Sequence, residues 1–107
     1  MEPVVRSLAN LLVQGDYPGA VRYCAKSWLT AADLDEIIRD FGRRLVAPPN
    51  VGWKLDAVSV GETERPAWSI NAPLWTLEDG ESDLTLSLTM VRKDDRWEIE
   101  LDDLHVL

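Results

Sequence analysis

The chain has 107 residues, 46% hydrophobic and 28% charged, a balance that suits one folded domain and excludes a disordered or collagen-like chain. Its net charge of -8 is one-sided, since residues 1–60 hold seven basic and seven acidic side chains and residues 61–107 hold four and twelve, a surface that would repel nucleic acid. No apolar run nears the roughly 18 residues of a membrane span, Met1-Glu2-Pro3 lacks the basic start of a signal peptide, and the single Cys24 cannot close an internal disulfide, so a cytoplasmic protein without membrane contact is expected.

From Glu2 the apolar residues Val4, Val5, Leu8, Leu11 and Leu12 recur at helical spacing, with Pro3 suited to a first turn and Gly15 to a left-handed end. Asp16-Tyr17-Pro18-Gly19 reads as a turn, and a short second helix is expected over Ala20–Ser27 with Val21, Cys24 and Ala25 inward. Thr30 is a good N-cap with Asp33 three residues on, so a third helix starts at Ala31 and buries Leu34, Ile37, Ile38 and Phe41 before Gly42 ends it. Arg43 and Arg44 follow that end, where cations favour the exposed carbonyls and can meet the acidic second half. Pro48-Pro49 stops further helix and opens an exposed connection.

The pattern then changes to period two. Strands are expected near Trp53–Val60 and Ala67–Leu77, joined by the loop Gly61–Pro66, although neither alternates cleanly. In the second, Trp68, Ile70, Ala72 and Leu74 share one phase and Trp75 and Leu77 the other, with either a bulge at Pro73 or cover on both faces. Leu84, Leu86, Leu88 and Met90 alternate with polar residues, as do Trp97, Ile99 and Leu101. A turn centred on Asp94-Asp95 sets Met90 opposite Ile99 and Leu88 opposite Leu101. Continued without interruption, that register would bury Asp103 against Leu86. One extra residue at Asp102-Asp103 instead brings Leu104 opposite Leu86 and Val106 opposite Leu84, and turns His105 toward Thr85 and Ser87; a β-bulge is expected there. The result is one α+β domain over residues 1–107, in which two to three N-terminal helices (residues 2–45) pack on one face of a four-stranded antiparallel sheet (residues 51–107).

The stretch Leu74-Trp75-Thr76-Leu77-Glu78-Asp79-Gly80-Glu81-Ser82-Asp83-Leu84-Thr85-Leu86 and the terminal Asp102-Asp103-Leu104-His105-Val106-Leu107 resemble a family of small uncharacterised bacterial proteins. Those proteins carry a similar LWT, acidic turn, G, SDLTL stretch and end in a similar DDLHVL strand. The resemblance covers the whole chain and implies no activity. More loosely, the order of elements is similar to the cystatin-like and nuclear transport factor 2-like architecture, whose members range from pocketed isomerases and dehydratases to dimerisation modules.

Two functional expectations follow. In the first, a non-enzymatic binding or dimerisation module works through the second sheet face, with Trp68, Thr85, Ser87, Glu98 and Glu100 as binding residues. Its partner is a basic protein or a second copy of the chain; Trp53, Trp68, Trp75 and Trp97 read as core, and the homodimer rests on the alternative in which Trp68 lies on that second face with Ile70 and Leu74 as an apolar patch. In the second, a pocketed enzyme or ligand binder uses His105 as base with Asp102 or Asp103 orienting its ring. Cys24, 81 positions from the only histidine, reads as a small hydrophobe. The acidic turn Glu78, Asp79, Glu81 and Asp83 does not match an EF-hand loop, and no glycine-rich phosphate loop or zinc-ligand cluster is present, so neither a metal nor a cofactor is expected.

Overall fold

The structure, a computed structural model, describes residues 1–60 and 66–107. Helix α1 (Glu2–Val13) has proline in its first turn, where the missing N–H has no helical partner to lose, and buries Val5, Leu8, Ala9 and Leu12. Arg6, on its flank, donates to the Pro48 carbonyl at 3.1 Å and the Pro49 carbonyl at 2.9 Å, with its guanidinium 5.1 Å from the centre of the Trp53 ring. The diproline connection is therefore fastened to α1, with Pro48 buried, and is not the exposed link expected from sequence.

Helix α2 (Tyr17–Tyr23) begins earlier than the expected Ala20, because the Asp16 side chain caps it by accepting the Gly19 N–H at 2.9 Å and Pro18 suits its first turn. It also ends earlier, and Lys26–Ser27 leave it as strand β1. Helix α3 (Ala31–Phe41) carries a reciprocal capping box: the Asp33 N–H donates to the Thr30 hydroxyl at 3.1 Å and the Thr30 N–H to the Asp33 carboxylate at 2.9 Å. It ends at Gly42, whose φ of 72° is left-handed and favours glycine.

Strands β2 (Leu45–Val46), β3 (Asp56–Ser59), β4 (Ala67–Thr76), β5 (Gly80–Lys93) and β6 (Arg96–Val106) complete the described elements. They form one sheet in the order β1-β6-β5-β4-β2, with β3 beside β2 on the same edge of β4 and β1 alone running parallel to its neighbour. The sheet is thus six-stranded and mixed, where four antiparallel strands were expected. The two additions, β1 and β2, are two residues each, too short to carry a period, and both fall within or at the end of the N-terminal stretch read as helical. Residues 61–65 of the expected loop lie outside the described residues.

The β5–β6 ladder has Met90 opposite Ile99, Leu88 opposite Leu101, Leu86 opposite Leu104 and Leu84 opposite Val106, with the register shift between Ser87 and Leu88 where Asp102 is the extra residue. The bulge sits where the alternation of apolar residues requires it. The hairpin turns at Asp94-Asp95, and Asp94 takes a φ of 55° that aspartate tolerates in tight hairpins. In β4 the residues Ile70, Ala72, Leu74 and Thr76 are buried in unbroken alternation. The irregularity near Pro73 is carried by β5, where Ser82, Asp83 and Leu84 all face Leu74. Ser82 fills the bulge, its hydroxyl donating to the Leu74 carbonyl at 2.7 Å and accepting the Leu84 N–H at 3.2 Å.

The core joins these inward residues of β4, β5 and β6 to the buried residues of α1 and α3. Ile70 and Leu74 belong to it, and Trp68 packs against it, so the apolar patch expected on the uncovered face lies on the helix-covered side instead. Trp53 is buried, Trp75 and Trp97 are half-buried, and Trp28 is 65% exposed. No helix among the described residues is long and apolar enough to cross a membrane.

Candidate functional site

The face of the sheet away from the core is mostly polar, with Pro73 and the half-buried Trp75 in the outward phase of β4. Alternation along β4 places Ser69 and Asn71 there, along β5 Thr85, Ser87, Thr89 and Val91, and along β6 Glu98, Glu100 and the two bulge aspartates. Register ties them into pairs: Thr89 opposite Glu100, Val91 opposite Glu98, Ser87 opposite Asp103 and Thr85 opposite His105. Side chains link neighbouring strands as well. The Ser87 hydroxyl donates to the Asn71 carbonyl oxygen at 2.8 Å, and the Thr89 hydroxyl to the Asp102 carboxylate at 2.6 Å.

The two bulge aspartates have different tasks. Asp102 is held by Thr89. Asp103 accepts the Leu104 N–H at 2.9 Å through one oxygen, and its other oxygen lies 3.2 Å from His105 Nδ1. The Leu107 N–H donates to the Asp83 carbonyl, so alternate residues after the bulge point their backbone toward β5 and the Leu104 N–H points to the outer edge of the sheet. Asp103 thereby closes an edge donor that a strand partner would otherwise take. Its approach to His105 is close but misaligned, and Nδ1 is a buried nitrogen without a hydrogen-bond partner, as is Trp75 Nε1. Of the two orienting carboxylates considered for His105, the structure thus brings only Asp103 near, already committed to the backbone.

A cleft of about 440 Å³ opens on this face beside His105, walled by Asn71, Thr85, Asp83, Lys54 and Asp56. Thr85 and His105, neighbours as the register implies, both line it, whereas Ser87 reaches it only through Asn71. Trp68, Glu98 and Glu100 are not among its walls. Asn71 was legible as the polar member between the buried Ile70 and Ala72; Asp56 carries no such signal, because β3 is exposed on both sides and has no core phase, and Lys54 lies before that strand.

Elsewhere, Arg43 Nε lies 3.2 Å from the Asp79 carboxylate and the Arg44 N–H donates to Glu78 at 3.0 Å, so the basic residues after α3 meet the acidic turn as expected. The Arg44 N–H holds the Glu78 carboxyl below its usual range. Burial pushes the Cys24 thiol up to about 11, and its Sγ donates to the Ala20 carbonyl, which agrees with a packing role. No group of three or more histidine, cysteine, aspartate or glutamate side chains among the described residues is arranged to hold a metal ion.

Comparisons with curated proteins and with solved structures return no match. Comparison with protein families matches residues 9–107 to a domain of unknown function, DUF7668. The match runs from the middle of α1 to the end of the chain, so the protein belongs to this family.

Proposed function

We propose that the protein is a non-enzymatic cytoplasmic binding module that offers the uncovered face of its sheet to a basic protein. The observation that supports this reading is a row of carboxylates on β6, Glu98, Glu100, Asp102 and Asp103, on a face without a helix over it. Among the described residues only Glu98 of this row has lysine or arginine within 4 Å, Lys93 at 3.4 Å and Arg96 at 3.6 Å. Glu100, Asp102 and Asp103, which have no such partner among the described residues, cost self-repulsion, and they speed encounter with a partner of opposite sign. A second copy of the chain is a poorer occupant, because two acidic rows would meet and the apolar residues that would join them are in the core.

The test is affinity capture from source-cell lysate with the wild type and with Glu98→Gln/Glu100→Gln, at low and high salt, with the mass of the free protein recorded. Basic proteins retained by the wild type, lost from the double variant and lost in high salt are expected. Retention that ignores both changes refutes the reading.

A second reading draws on the cleft at His105. Asn71, Thr85 and the imidazole converge there in a volume suited to a small molecule, with Asp103 at 3.2 Å from the ring. Under it, His105→Ala removes binding or turnover of a small polar ligand while the fold persists; a folded variant with unchanged ligand binding removes His105 from the account.

A further inference from the structure

A second cavity lies where the end of α2 meets the start of β6. It is a groove of about 400 Å³ lined by Arg22, Tyr23, Cys24, Arg96 and Trp97, among others. Its chemistry runs against the protein as a whole, which carries a net charge of -8. Two guanidinium groups line it, and a third, that of Arg92, sits 5.4 Å from the centre of the Trp97 ring. The one carboxylate in its wall, Glu98, is answered by Lys93 and Arg96. Arg22 has no carboxylate within 4 Å among the described residues, and is exposed on the last turn of α2. Two aromatic walls accompany the charges, the 43% exposed Tyr23 and the half-buried Trp97.

We propose that this groove is a binding site for a small anion carried on a flat ring, a carboxylate or a phosphate attached to an aromatic body. Arginine presents its N–H donors in a fork that matches both oxyanions, and an aromatic wall beside it takes the ring by stacking or edge contact. The volume lies within the range of small-molecule sites, about 300–1,000 Å³. Cys24 contributes a wall and no covalent step, since its thiol is protonated at neutral pH. The groove shares only Glu98 with the acidic row and does not depend on the function proposed for that face.

The experiment is an amide-resolved NMR titration of the full chain with phenyl phosphate and with benzoate, set against inorganic phosphate and phenol. Saturable shifts at Tyr23, Ala25 and the Trp97 indole are expected with at least one ring-bearing anion, and whichever binds names the headgroup. Phosphate without the ring and phenol without the charge are expected to bind at least about tenfold more weakly, roughly the loss of 1.4 kcal/mol. Arg22→Gln is expected to weaken binding about fivefold or more, and Arg22→Lys, which keeps the charge and loses the fork, by less. Arg22 is exposed, so these variants keep the wild-type amide spectrum away from the groove. The proposal is overturned if neither ring-bearing anion gives saturable shifts there, or if Arg22→Gln leaves the affinity unchanged.

Discussion

Deleting Asp102 tests whether the bulge in β6 exists to keep apolar residues on the core side. Asp102 is the extra residue, so its removal lets the ladder run without interruption while Leu104 stays opposite Leu86 and Val106 opposite Leu84. What is lost is the hydrogen bond from the Thr89 hydroxyl at 2.6 Å, a charge-assisted bond worth roughly 1.5–3 kcal/mol at a half-buried position. A cost of about 1–3 kcal/mol is therefore expected, within the roughly 5–15 kcal/mol by which domains of this kind are stable. Deleting Glu100 instead turns Leu101, which is fully buried, to the solvent side and Asp102 toward the core. Losing one buried leucine alone costs about 2–5 kcal/mol, and an unpaired inward carboxylate adds to it. Urea unfolding followed by tryptophan fluorescence measures both deletions against the wild type. Unfolding on loss of Asp102, or a cost equal to that of losing Glu100, refutes this role for the bulge.

Four further outcomes follow from the same structure. Thr30→Ala removes the capping box of α3 and is expected to cost about 1 kcal/mol, lowering the thermal midpoint by about 4–8 °C; an unchanged midpoint contradicts the capping role. Gly80→Ala is expected to cost roughly 1–2 kcal/mol in urea unfolding, because Gly80 has a φ of 72° that a side chain strains, although a Cβ there would meet the Trp75 ring only at an ordinary contact distance; a variant as stable as the wild type contradicts the strained turn. Glu78 has a folded pKa below its unfolded value, so its contribution is present above the ordinary carboxylate range and lost as pH falls through the folded pKa. The urea midpoints of wild type and Glu78→Gln are thus expected to differ at pH 7 and converge in acid; a constant gap contradicts the bond to the Arg44 N–H. Cys24, its thiol pushed up to about 11, is expected to react with a thiol reagent at pH 7 far more slowly folded than in urea, and equal rates refute its burial.

The portions of the fold that were legible in the sequence are those where one face is buried and the other wet. The α3 cap was readable from Thr30 and Asp33, and the β6 bulge from the apolar run Ile99, Leu101, Leu104, because a slip of one residue there buries a carboxylate. β1 and β2 were not legible, since two-residue strands are held by backbone partners from β6 and β4 and need no side-chain period. The side of the sheet that holds Trp68 was misread for a different reason. Alternation fixes which residues share a face, and only the packing of α1 and α3 decides which face is covered. At the candidate site, His105 beside Thr85 follows from register, while Lys54 and Asp56 arrive from an exposed edge strand and the segment before it, whose placement leaves no pattern.

The most direct measurement of the proposed role of the acidic face is an amide-resolved NMR footprint of the protein with the basic partner isolated by capture. The largest shifts are expected at Thr89, Val91, Glu98, Glu100 and Asp103, weakening with salt, with the helices unaffected. Shifts confined to α1–α3, or spread evenly over the chain, contradict it.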